Sequence, residues 1–72
     1  MAIDVDFSRK APAGKFRLVG VDTFDGDDWL QGDYDTLEEA MQVATEKTAG
    51  EQMLFYHVYD DHGKHVGQRG RW

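Results

Sequence analysis

Between residues 36 and 50 the chain carries one helix with both ends marked, and the rest of the sequence must be arranged around it. Thr36-Leu37-Glu38-Glu39 forms a capping box: the Thr36 hydroxyl can accept from the third helical N–H while Glu39 reaches back to the cap. Glu38 and Glu39 also sit where the helix dipole favours negative charge. Leu37, Ala40, Met41 and Ala44 recur at spacings of three and four, one apolar stripe flanked by Val43. Lys47 falls in the last turn, and Gly50 supplies the left-handed residue that commonly stops a helix. This pattern predicts a helix over 37–48.

The segments on either side read as strands in pairs. Lys15 to Phe24 is rich in residues that suit a pleated surface, and Trp29 to Tyr34 returns after the turn-forming Asp25-Gly26. A two-residue turn at Asp25-Gly26 and a four-residue turn through Asp28 give the same facing. Val19, Val21, Leu30 and Tyr34 are expected on the core side, with Phe16, Leu18, Phe24 and Trp29 on the other. A β-bulge at Gly20 would switch that alternation. After the helix, Met53 to Tyr59 is too short for a stable helix and reads as a third strand. Asp60-Asp61-His62-Gly63 is a type I turn with Gly63 left-handed, and His65 to about Arg69 is the return strand. Arg69 to Trp72 reads as a loose tail.

The N-terminal segment stands apart. Ala2-Ile3-Asp4-Val5-Asp6-Phe7 alternates apolar and acidic side chains, placing Ile3, Val5 and Phe7 on one side of an extended chain. It is read as a short strand or a docked arm, with Ser8 to Gly14, around Pro12, as a loop. Residues 1–14 are therefore an arm and loop, and residues 15–72 a single ββαββ domain. The expected fold class is α+β: a two-layer sheet with one helix on one face, with an extra N-terminal strand left open. If the hairpins join through a parallel pair, the connection between them should be right-handed.

Size sharpens the question of what covers the sheet. A chain of 72 residues buries only ~60% of its unfolded surface, and one small core rarely supplies more than ~3–5 kcal/mol. There is no cysteine, hence no disulfide, thiolate zinc site or thiol nucleophile. A partner subunit is the compensation to look for. A 12-residue helix, ~18 Å by ~10 Å, covers roughly half of one face of a four-stranded sheet. The opposite face should then turn polar, yet Phe16, Leu18, Phe24 and Trp29 oppose the proposed core side, and both flanks of residues 53–59 are largely apolar. Together with Phe55, His57 and Tyr59, these four residues form the expected interaction face, and a homodimer is the expected partner.

Other chemistry is weakly supported. Residues 22–39 carry eight acids and no Lys or Arg. Asp25, Asp27 and Asp28 lack the calcium-loop pattern, and acids belong at a hairpin tip and a helix start for local reasons. Charge complementarity to a basic partner is the stronger reading of that stretch. His57, His62 and His65 match no metal-binding spacing and read as surface or packed histidines. Ser8, the only serine, has no histidine near it in sequence, and Gly26 and Gly32 have no phosphate-binding sequel. No enzyme, no cofactor and no small-molecule substrate is expected.

The net charge of −6 disfavours nucleic acid and anionic membranes. Against it stands a basic tail of Lys64, Arg69, Arg71 and the aromatic Trp72, beside a sheet bearing Phe55 and Tyr59, the basis of an alternative reading as a nucleic-acid or regulatory binding domain. No apolar run approaches the ~18–20 residues of a membrane span, and Asp4 and Asp6 interrupt any leader-like start. A bacterial-type cytoplasmic protein fits.

The string Asp22-Thr-Phe-Asp-Gly-Asp-Asp-Trp-Leu-Gln-Gly-Asp-Tyr-Asp-Thr-Leu-Glu-Glu-Ala40, with His57-Val-Tyr-Asp-Asp-His-Gly-Lys64, resembles small uncharacterised bacterial proteins of the hairpin-helix-hairpin type. The resemblance covers most of residues 15–68 and implies the fold. Its motifs are turn and cap chemistry, so it implies no reaction, ligand or functional residue. The expected function is a non-enzymatic protein-interaction module that self-associates through the sheet face opposite the helix.

Overall fold

The computed structural model describes residues 9–71. The alternating segment 2–7 and Trp72 lie outside the described residues. The elements run β1 (Phe16–Asp22), β2 (Asp27–Tyr34), α1 (Leu37–Thr48), β3 (Leu54–Tyr59) and β4 (His65–Arg71). The ββαββ order and the α+β class are as expected. Arg69–Arg71 is strand rather than loose tail, because Met53 N donates to Arg71 O at 2.7 Å and keeps β4 paired to its end.

The sheet order is β2-β1-β3-β4 with every neighbouring pair antiparallel. The hairpins thus meet through an antiparallel β1–β3 pair, not a parallel one. β2 and β3 consequently run the same way with β1 between them, and α1 makes the crossover. No helix among the described residues is long and apolar enough to cross a membrane.

The helix forms where its caps place it. Thr36 is extended (φ −135°), and its Oγ1 accepts from Glu39 N at 3.0 Å. Gly50, at φ 77°, turns the chain away. Ala40 and Ala44 are fully buried against the sheet, and Thr48 Oγ1 donates back to Ala44 O at 2.8 Å. α1 lies chiefly over β3 and β4. It approaches closely at Gly67, where a Cβ would come within 2.7 Å of Met41 Sδ.

The first hairpin departs from the expected facing. Its loop is residues 23–26, closed by Gly26 N donating to Asp22 O at 2.8 Å, with Gly26 at φ 75°. Asp22 organises it, its Oδ1 accepting from Phe24 N and Asp25 N at 2.9 and 3.2 Å. The register then slips: Leu18 faces Gly32 but Val19 faces Leu30, leaving Gln31 as the extra residue of a bulge. The bulge lies in β2, not at Gly20. It puts Tyr34 on the same side as Trp29, away from Val19, Val21 and Leu30.

The helix-covered side is also the reverse of the expected one. Leu18, Ala40, Ala44, Tyr56 and Val58 form the core, with Phe16, Trp29, Tyr34, Leu54 and Val66 packed around it. Gly20 leaves room for Trp29, whose ring atoms would lie 2.4–2.7 Å from any Cβ there. Trp29 meets Tyr56 edge-on at 5.9 Å, and Gln31 Oε1 accepts from both Trp29 Nε1 and Tyr56 OH at 3.2 Å.

Candidate interaction surface

Strand alternation and the observed pairing define the face turned away from α1. Val19 and Val21 stand on β1, Asp28 and Leu30 on β2, Phe55, His57 and Tyr59 on β3, His65 and Gln68 on β4. The seven residues expected to share this face do not. Phe55, His57 and Tyr59 lie on it. Phe16, Leu18 and Trp29 belong to the helix side, with Leu18 fully buried. Phe24 is in the β1–β2 loop and is 76% exposed.

Arg9 crosses this face. Its guanidinium donates to Asp28 Oδ2 at 2.6 Å and lies 6.0 Å from the Tyr59 ring centroid. Asp28 is on β2 and Tyr59 on β3, so Arg9 links the two strands that flank β1. Val19 is fully buried although the helix does not reach it. Beyond Arg9, toward the β1–β2 loop, a concavity of about 270 Å³ is lined by Val21, Thr23, Phe55, His57 and Gln68. Leu30, on the same face of β2, is 41% exposed.

The rings of β3 and β4 are in register with one another. Phe55 stacks on His57 with centroids 6.5 Å apart, and Tyr59 meets His65 edge-on at 5.4 Å. Between them His57 Nδ1 and His65 Nε2 are 3.0 Å apart, a hydrogen bond that requires at least one ring to be neutral. Burial, then the neighbouring His65 and Arg9, lowers the His57 pKa from the ordinary imidazole value. Sequence reasoning missed this pair. The signal was the Asp60–Gly63 turn: it closes with Gly63 N donating to Asp60 O at 3.0 Å, and that hairpin pairs Tyr59 with His65 and His57 with Gln68, leaving the two histidines diagonal to each other across β3 and β4.

Three of the eight acids in residues 22–39 are matched from within the chain. Arg9 bonds Asp28, Lys15 bonds Asp35, and Arg17 grips Asp33 through two hydrogen bonds of 2.8 and 3.0 Å. The bases just upstream of residue 18 thus serve three of the acids after residue 22, and among the described residues Asp25, Asp27, Glu38 and Glu39 make no ion pair with them. No group of three or more His, Asp or Glu that could hold a metal is gathered among the described residues. Arg69 and Arg71 pair with Tyr56 and Leu54, which puts them on the helix side. These two arginines thus stand on the side opposite Phe55 and Tyr59. No family model, no curated protein and no solved structure matches the chain.

Proposed function

We propose that the chain is a non-enzymatic protein-interaction module that self-associates through the sheet face opposite the helix. The observation that carries this reading is exposed apolar surface on and beside that face: Leu30 on β2 and Phe24 in the β1–β2 loop are exposed, and Val21 and Phe55 line a groove. A second copy is the occupant best matched in size. The molecule extends 32 × 29 Å but only 15 Å in depth, so its broad faces are where a partner finds the most area, a stable interface taking ~800 Å² from each side. In this reading the module works in the cytoplasm, where a cysteine-free chain loses nothing by lacking disulfides.

Sedimentation at micromolar concentration tests it. The wild-type chain is expected to show a concentration-dependent dimer. Leu30→Glu places a charge on the margin and should weaken that dimer at least about tenfold, since a desolvated unpaired charge is costly, while leaving the helix-side core intact. A clean 8.2 kDa monomer for the wild type at every concentration would refute the reading.

A further inference from the structure

We infer that His57 and His65 form half of a divalent-metal site on the face opposite the helix, and that a second copy of the chain supplies the other half. This rests on reading that face as a self-docking surface and names the chemistry that joins the copies. A bulge in β4 builds the pair. Val58 faces Gly67 while Tyr59 faces His65, which leaves Val66 as an extra residue. In a regular ladder Val66 would stand opposite Tyr59. The bulge instead lets Val66 pack against the core and turns His65 to the open face, diagonal to His57.

The ring atoms that meet are His57 Nδ1 and His65 Nε2, 3.0 Å apart, in rings tilted by 53°. Two imidazole nitrogens held ~2.0–2.1 Å from one zinc-class ion, at angles between ~90° and ~109°, lie ~2.9–3.4 Å from each other. The pair is therefore already spaced as neighbouring ligands. The ring that donates the present hydrogen bond has only to move that proton to its other nitrogen, and both lone pairs can then turn to the ion. His65 is exposed and His57 half-buried, so an ion can reach them from solvent. Arg9, the cation that acts on His57, is ion-paired with Asp28, which offsets its repulsion of a bound ion.

Two imidazoles leave a four-coordinate ion half-satisfied. No group of three or more His, Asp or Glu that could hold a metal is gathered among the described residues, so these residues of one chain do not close the site. Structural zinc sites are closed by four protein ligands. A two-fold axis through the ion brings the same two histidines from a second copy, the isologous arrangement commonest among dimers. Phe55 stacks on His57 and Tyr59 meets His65, so the second copy would also cover the ring surface around the ion.

Sedimentation of the full chain at low micromolar concentration, with EDTA or with Zn2+ as the only added metal, tests this together with calorimetric titration of Zn2+. Zn2+ should tighten the dimer at least about tenfold by mass action, at one ion per two chains, and EDTA should reverse the effect. His65→Gln should abolish the effect, whereas His62→Gln, in the adjoining turn, should retain it. Equal dimerisation with Zn2+ and with EDTA would overturn the metal site and leave the docking face standing. One ion bound per chain without dimerisation would overturn the shared site, as would a Zn2+ effect that survives His65→Gln or is lost in His62→Gln. A monomer under both conditions would overturn the site and the docking face together.

Discussion

His57 ties the chemistry of the face to pH. Its folded-state pKa is lowered, chiefly by burial, whereas in the unfolded chain it should titrate near ~6.5. Below that value the unfolded chain takes up a proton that the folded chain resists. The contribution of neutral His57 is therefore complete above about pH 6.5 and is lost as the pH falls. Urea midpoints should be lower at pH 5.5 than at 7.5, and His57→Phe, which keeps a ring against Phe55, should flatten that difference. Asp60 is held below the usual carboxylate range by the Lys64 and His62 N–H groups, so it titrates under this window. Gly20 makes a second residue-scale prediction. Gly20→Ala drives a methyl into the Trp29 ring and should cost about 1–3 kcal/mol, read as a lower urea midpoint with a changed near-ultraviolet signal from Trp29.

Among the elements, the helix was the most legible and the first hairpin the least. Thr36 and Gly50 act on the backbone nearest them, so local chemistry alone bounded α1 at 37–48, although only the Thr36 half of the capping box forms. Thr36→Ala should cost about 1 kcal/mol and lower the melting temperature by about 4–8 °C, whereas Thr36→Ser should retain most of it. The Asp60–Gly63 turn was equally local and equally readable. Facing was not. The bulge at Gln31 is tied to a side chain distant in sequence, since Gln31 accepts from Tyr56 as well as from nearby Trp29. One signal of the true facing does stand in the sequence: Arg17 shares parity with Val19 and Val21, which marks theirs as the face away from the helix. Met53 was expected to open β3, but its left-handed backbone, φ 61°, delays the strand to Leu54. Met53 O instead accepts from Thr23 N and Oγ1 at 2.9 and 2.8 Å, a long-range constraint that no local pattern announces.

Over the whole molecule, the strand order has a kinetic consequence. Each hairpin closes over a short loop, but the central seam joins β1 to β3 with all of β2 and α1 between them in sequence. Pairings of that separation cost the most loop-closure entropy and form slowly. The hairpins should therefore assemble early and wait for one another, with the rate set by their collision along Leu18 and Val58. In stopped-flow experiments Val58→Ala should mainly slow refolding, and Asp22→Ala, at the tip of a hairpin formed before that step, should also act on refolding more than on unfolding. A chain that pauses with its central seam unzipped presents two bare strand edges at once, so crowded refolding is when it is most exposed to tangling with its neighbours.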